Sequence, residues 1–478
     1  MYSVGSYPRY YNYSTTSGKQ TEKVEAGGEN SPVTQTTYVS NPLFRDRIPF
    51  NPSFTASKLR TRLNSQEEQN KYNTVLSHLD RASKKKMKNL LKSGVLLNAD
   101  SNDNSTVLDN LYNIAVKDRA NGLSRDEILK DTIETIADPY IITQQFGDIP
   151  ENIRGHILEN YMQENKLNKN NIVQKKAAEN DINVEHSGTC VASSIEFNLA
   201  KKMPAEFARF AEGLTSPAMS VKKNIKMKNL TDNTLDSIWL LNAFEIPFRM
   251  DDYDNANLTF APDKNAIIRA RIQTTNRDPN ERSALDVLMQ STFMQVGSQQ
   301  TYDSLSDRRK GKFNNNDKGL IEFEKTFTES VVEDKNKISV TYQTVDDNAR
   351  LIGYETDFET MKKQISDALN LGENVIIGYT EVDANNEIIN GHEITITGQK
   401  YDKSGNLIYI CNDTDDDIPS AVEYRADVLL PKIHHAGLPQ SVVKEDVNLV
   451  ENWVEGLKSY KEMKKNIKLQ PEQYRNAA

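Results

Sequence analysis

The chain has 478 residues, and 59 Lys and Arg against 68 Asp and Glu give it a formal charge of −9, so nucleic acid is not expected as its partner. Hydrophobic residues make up 37%, below the content of a fully packed protein, which predicts that part of the chain is not packed. Its two cysteines, Cys190 and Cys411, are too few for a disulfide framework or a four-cysteine zinc site.

The N-terminal region lacks the pattern of a targeting or membrane segment. No apolar run approaches the roughly 18 residues of a membrane span, and residues 1–30 contain no hydrophobic stretch of a signal peptide. We therefore expect no membrane span, and either a cytoplasmic location or export without a classical signal. Residues 1–64 are rich in Tyr, Ser, Thr, Asn, Pro and Gly without a period, which predicts a disordered leader.

Residues 65–175 carry helical patterns and are predicted to form a helical domain or extension. Ser65 and Ser124 each precede an apolar period as N-caps, with Glu68 and Glu127 as their capping partners, and another helix is expected at about 106–118. The basic run at 84–88 is interpreted as the solvated face of a helix, given the negative total charge.

Near residue 176 the sequence changes from helical patterns to a mixture of helical and strand-like patterns. A helix is expected after Cys190 and another at 357–370, and strand-like runs follow at 337–342, 374–379, 392–398 and 407–411. Turn residues between the last runs favour hairpins, so the fold class is predicted as α+β with an antiparallel β region. Residues 444–478 are predicted to form a charged amphipathic helix.

Cys190 stands where a reactive thiol would be expected. Gly188 allows a tight turn, and Val191, Ala192 and Ile195 then repeat at helical spacing, which places the thiol at a helix N-terminus. The helix dipole and free N–H groups there favour a thiolate and can bind an oxyanion. The alternative is an inert cysteine that opens a core helix.

A histidine and two polar residues near the later strands complete a possible triad. His392 lies near the start of one strand, and Asn412 and Asp413 follow the end of its hairpin neighbour. In this arrangement His392 takes the proton of the thiol, while one of the other two orients the imidazole. Side-chain alternation puts Asn412 and Asp413 on opposite faces, so that only one of them can fill the role.

These residues resemble the papain-like cysteine peptidases. The resemblance rests on the Ser-Gly-Thr-Cys entry to a helix at 187–190 and on the pair Gly391-His392, which is followed six residues later by Gly398. It also rests on a strand that ends in Asn412 and on the chain order Cys, His, Asn. It implies a two-lobed fold over 176–443, with a helical lobe and an antiparallel β lobe. It also implies a nucleophile at Cys190, a base at His392 and Asn412 as the orienting residue, acting on peptides without a cofactor or metal. Bacteriocin-leader-type relatives use an Asp instead, which would favour Asp413.

The chain also departs from the family pattern. The family's oxyanion-hole glutamine lies six residues before the cysteine, where this chain has Val184. The adjacent Asn183 is predicted as its substitute, and His186, which is nearer to Cys190, is the alternative. The interval between cysteine and histidine is long, so an insertion is expected, with 302–318 as its place. The alternatives are a transglutaminase-like or deamidating acyl transferase with the same triad, or an inactive papain-like binding module. The extension at 65–175 is expected to restrain activity as a pro-segment would.

Three other features are interpreted as having no catalytic role. A disulfide between Cys190 and Cys411 is not expected, because alternation turns Cys411 away from the site. The acidic run that begins at Asp413 departs from an EF-hand loop, since Ile418 replaces the required glycine, although an improvised calcium site stays open. His434 and His435 are adjacent on a strand and are predicted to lie at the surface rather than face one metal.

Overall fold

The computed structural model is an α+β protein with antiparallel sheets, which confirms the predicted fold class at this level. The predicted leader lies outside the described residues except for 36–37 and 60–64, and the helix predicted at 444–478 lies outside them entirely. The residues that the structure describes are 36–37, 60–145, 151–164, 166–182, 188–250, 252–276, 281–310, 319–320, 322–346, 348–415 and 419–443.

The first helices begin where their caps predict. The side chains of Ser65 and Ser124 accept hydrogen bonds from the backbone N–H of Glu68 and Glu127, at 3.1 Å and 3.4 Å. The run at 84–88 lies in a helix with most of its lysines exposed, which confirms the interpretation of a solvated face. These helices are α1 (Gln66–Ser77), α2 (Arg81–Ser93), α3 (Val107–Val116) and α4 (Arg125–Ala137).

The other helices of eight residues or more surround the cysteine and precede or cover the sheet. They are α5 (Glu151–Glu164), α6 (Ile172–Ile182), α7 (Cys190–Lys202), α8 (Pro204–Leu214), α9 (Thr234–Ala243), α10 (Ala266–Asn276), α11 (Ala284–Gly297), α12 (Glu322–Glu333) and α13 (Phe358–Asn370).

One hydrophobic core joins helices from both sides of residue 176. Leu111 of α3 and Ile133 of α4 belong to the same buried cluster as Ile195 of α7 and Phe293 of α11. Helices on both sides therefore bury their apolar faces against each other, and neither set covers its own face alone.

Removal of residues 1–145 is therefore expected to prevent folding rather than release an active enzyme. The truncation would expose the apolar face of α8, which packs against α3 and α4, and the parts of α7 and α11 that meet α4. Far-UV circular dichroism and urea unfolding of the truncated chain would check this expectation. A soluble product that unfolds cooperatively and shows higher activity would instead support the pro-segment prediction.

The strands form one large antiparallel sheet and two small ones. The strands are β1 (Thr36–Thr37), β2 (Val221–Lys226), β3 (Phe248–Met250), β4 (Asn255–Phe260), β5 (Lys337–Thr341), β6 (Gln343–Val345), β7 (Leu351–Tyr354), β8 (Val375–Val382), β9 (Ile388–Tyr401), β10 (Leu407–Asn412), β11 (Val422–Arg425) and β12 (Ile433–Pro439). The seven-stranded sheet has the order β1-β11-β10-β9-β8-β12-β5, the three-stranded sheet is β2-β4-β3, and β6 pairs with β7.

A second hydrophobic core lies between the large sheet and α13. Ile394 and Ile396 of β9 pack there with Met361 and Ile365 of α13, on one set of alternating positions. The other face of the sheet meets α12, where Nζ of Lys325 donates to the backbone carbonyl of Ile376 at 2.9 Å. The four predicted strands and the helix predicted at 357–370 are thus confirmed.

The prediction that His434 and His435 lie at the surface is wrong, because both are only 4% exposed. A β-bulge is the physical reason. Along β12 the pairing with β8 passes from Ile433 opposite Tyr379 directly to His435 opposite the next β8 residue, so His434 is an extra residue. A bulge breaks strict alternation and can turn two neighbouring side chains to the same side of a strand.

Gly378 of β8 lies between His435 and Glu393, and its lack of a side chain lets these two approach. A Cβ at this position would overlap His435 and Glu393, both of which are buried. Gly378→Ala is expected to lower the free energy of unfolding by about 1–3 kcal/mol, as overpacking does. Gly353→Ala is the matched control, because its Cβ would meet nothing within 4 Å. Equal urea midpoints for the two variants would contradict this expectation.

Candidate active site

Cys190 is the first residue of α7, as predicted, and is half-buried. The residue before it, Thr189, does not cap the helix through its side chain, because its hydroxyl donates to Oε1 of Gln290 at 2.8 Å. The N–H groups of the first helical turn have no acceptor within the helix. Partial positive charge is therefore available beside the thiol.

The turn that precedes Cys190 is held by residues far away in the sequence. The backbone N–H of Gly188 donates to Oδ2 of Asp307, and Oδ1 of Asp307 accepts from the hydroxyl of Tyr302 at 2.8 Å. Residues 302–310 are mostly buried, and 311–318 lie outside the described residues. The first part of the predicted insertion therefore supports the candidate site, and nothing in its polar composition indicated this.

His392 is held in a buried position by a carboxylate. Its Nε2 lies 2.7 Å from Oδ1 of Asp413, and the ring of Tyr379 stands edge-on to the imidazole at 5.7 Å between centroids. His392 is 6% exposed, and its Nδ1 makes no hydrogen bond to a described residue. The imidazole is thus fixed at one nitrogen while the other stays available to a thiol.

The partner of His392 is Asp413, and the expectation that Asn412 fills this role is not met. Asn412 pairs with Thr395 on β9, is 1% exposed, and its Oδ1 has no hydrogen-bond partner among the described residues. The register of β10 on β9 explains why Asp413 rather than Asn412 contacts His392. Cys411 pairs with Ile396, so Cys411 and Asp413 share the face of β9 that carries His392, whereas Asn412 points to the opposite face.

The charges in this group favour an imidazolium. Burial disfavours protonation of His392, but the Asp413 carboxylate and the Cys190 thiol outweigh it and raise the pKa of His392 well above its ordinary value. Burial likewise opposes ionisation of Asp413, but the charge and hydrogen bond of His392 lower the pKa of that carboxyl. Because the Cys190 thiol is among the groups that raise this pKa, it lies in the neighbourhood of the imidazole.

The loop after β10 is tied to α7 and to the N-terminal helical region. The hydroxyls of Thr414 and Ser193 lie 2.8 Å apart, and the carbonyl of Thr414 accepts from the backbone N–H of Gln144 at 3.0 Å. The side chain of Gln145 donates to the carbonyl of Asp415 at 3.3 Å. Residues 143–145 therefore help to hold the loop that carries Asp413, a role that local sequence patterns did not indicate.

Other predicted features of the site can be placed only in part. Asn183 and His186, the two residues considered for the oxyanion hole, lie outside the described residues, as do Asp417 and Ile418 of the acidic run. Asp413 contacts His392 and also accepts a hydrogen bond from the hydroxyl of Tyr424 at 3.3 Å. Cys190 and Cys411 are both free, and Cys411 is buried in the core under α13.

The comparisons with known proteins give no relative: no family model, no curated protein and no solved structure matches this chain. Within the described ranges, no helix combines the length and apolar character that a membrane crossing needs. The chemistry of the site therefore carries the functional argument. A thiol at a helix N-terminus, a histidine and a buried carboxylate can together perform nucleophilic acyl transfer.

Proposed function

We propose that this protein is a papain-like thiol hydrolase that cleaves peptide bonds through an acyl-enzyme on Cys190. The observation that carries the proposal is the imidazole of His392, which is held by Asp413 at Nε2 and interacts with the thiol of Cys190. A nucleophile next to a base that is itself oriented by a third group is the arrangement that nucleophilic catalysis requires.

The proposed reaction begins with transfer of the Cys190 proton to His392. The thiolate attacks the carbonyl carbon of the substrate, and the oxygen becomes an oxyanion facing the N–H groups of the first turn of α7. His392 gives its proton to the leaving amine as the C–N bond breaks, which leaves a thioester on Cys190. Water, deprotonated by His392, then attacks the thioester and releases the acid, while the thiol regains its proton.

The division into two cores supports a papain-like arrangement of lobes. Cys190 packs against the helical core, whereas Ile394, two residues from His392, belongs to the core between the sheet and α13. Nucleophile and base thus come from different packing units and meet between them. We propose that an extended peptide or protein substrate binds along the boundary between these two packing units, with no metal or organic cofactor taking part in the reaction.

A labelled casein substrate, with and without a fluorescent primary amine, tests the proposed reaction. We expect fragments that appear in both conditions with the parent protein and do not appear with Cys190→Ala. Incorporation of the amine into intact casein would indicate an acyl transferase instead, and release of ammonia without fragments would indicate a deamidase. If the parent gives neither product nor covalent labelling by a thiol-directed epoxide, the site belongs to an inactive binding module.

A further inference from the structure

A second cluster of chemically active side chains lies on the face of the large sheet that meets α12. It consists of Glu322, the first residue of α12, and the neighbours His434 and His435 on β12. One ligand atom from each of the three residues lies within 4.8 Å of the others, and all three residues are buried. The β-bulge in β12 allows both imidazoles to meet one carboxylate.

The carboxylate of Glu322 is oriented by contacts on both of its oxygens. Its Oε1 lies 2.6 Å from Nε2 of His434, and its Oε2 accepts from the hydroxyl of Thr341 at 2.6 Å. The side chains of His434 and Glu322 keep 6% and 10% exposure.

His435 supplies the observation that points to a ligand. Both of its ring nitrogens are buried without a hydrogen-bond partner among the described residues, and Nε2 lies 3.0 Å from Oε1 of Glu393, within ion-pair distance. A buried polar atom without a partner is costly unless something else binds it. A carboxylate on one ring nitrogen, with the other left open, is the usual arrangement around histidines that bind metals.

We propose that Glu322, His434 and His435 bind a divalent transition-metal ion, with Zn²⁺ as the expected occupant. Two imidazoles and one carboxylate form a ligand set that suits Zn²⁺ and leaves its fourth position for water. Glu393 would act as the positioning residue of this site, because it holds the ring of His435 without belonging to the ligand set.

The two buried lysines near the cluster are paired with carboxylates that are not proposed as metal ligands. Nζ of Lys325 lies 4.0 Å from Oε2 of Glu393, and Nζ of Lys337 lies 3.0 Å from Oε1 of Glu329. These two lysines are thus matched by carboxylates other than Glu322.

The cluster lies next to the candidate active site but is distinct from it. His392 and Glu393 are consecutive residues of β9, and they serve the proposed triad and the proposed metal site respectively. Their side chains leave the strand on opposite faces. A bound ion would therefore join α12 to β12 behind the triad, with Glu393 of β9 against one of its ligands, and would not touch substrate.

Zinc binding can be measured in a Cys190→Ala background, so that the thiol of the triad cannot supply a ligand. The chelator-treated protein is titrated with Zn²⁺ by calorimetry, and bound metal is measured by atomic emission. We expect one equivalent in this background and in the control that adds His78→Ala, since His78 pairs with Asp126 away from the cluster. The change Glu393→Gln should weaken binding by about 10- to 100-fold without changing the stoichiometry.

The ligand variants decide the proposal. His435→Ala and the isosteric Glu322→Gln, each checked for folding by far-UV circular dichroism, should lose the bound equivalent of Zn²⁺. The Cys190→Ala protein loaded with Co²⁺ should give a spectrum that indicates nitrogen and oxygen ligands. Retention of the metal in both variants would overturn the proposal, as would the absence of stoichiometric metal from the Cys190→Ala background. The latter result would mean that the cluster consists of two histidine–carboxylate ion pairs only.

Discussion

Replacement of Cys190 by alanine is expected to abolish labelling by a thiol-directed epoxide and to lower peptide cleavage by at least about 10³-fold. The reason is that the variant removes the attacking atom, whereas the N–H groups of α7 and the pair of His392 with Asp413 remain. The measurements are the mass of the protein after epoxide treatment and the initial rate of casein cleavage.

The second cysteine provides a matched control for this experiment. Cys411 is fully buried, and burial together with the charge of Asp413 raises the pKa of its thiol well above the ordinary value. The change Cys411→Ala should therefore leave both labelling and cleavage within about twofold of the parent. Labelling that survives in Cys190→Ala, or that is lost only in Cys411→Ala, would contradict the assignment of the nucleophile.

The sequence predicted those parts of the fold that depend on local patterns. Serine caps followed by glutamate marked the starts of α1 and α4, because these interactions join residues three apart. Strand-like apolar runs bounded by turn residues marked β8, β9 and β10 in the same way. The position of Cys190 at the start of α7 followed from the glycine turn and the helical period behind it.

The parts that the sequence did not predict depend on contacts over long distances or on register. Asp307 was assigned to an insertion, yet it holds the turn before Cys190 from more than a hundred residues away. The choice of Asp413 over Asn412 needed the pairing of Cys411 with Ile396, which no local pattern fixes. The bulge at His434 likewise adds one residue to β12, and only the pairing with β8 shows it.

The role of Asp413 leads to the second prediction with a large expected effect. Asp413→Asn removes the charge that raises the pKa of His392, while the size of the side chain is kept. We expect cleavage to fall by on the order of 10²-fold at neutral pH. The alkaline limit of the cleavage rate should also move to lower pH, because His392, which donates a proton to the leaving amine, would lose that proton at lower pH.

The same change has a defined effect on stability. Since the folded-state pKa of His392 is raised, its contribution is complete below about pH 6.5 and is lost as the pH rises through the folded pKa. Since the folded-state pKa of Asp413 is lowered, its contribution is complete above about pH 3.9 and is lost as the pH falls through the folded pKa. The difference in unfolding free energy between parent and variant should therefore be largest between these two pH values.

Asp415→Asn is the control that separates a specific effect from a general loss of negative charge in this loop. The side chain of Asp415 lies 3.3 Å from the amide nitrogen of Gln145, and it is Asp413 that contacts His392. The control should keep the alkaline limit of the parent and most of its activity. If Asp413→Asn leaves the pH profile unchanged, or if both variants shift it equally, the imidazole is not oriented by Asp413 and the proposed triad is wrong in its third member.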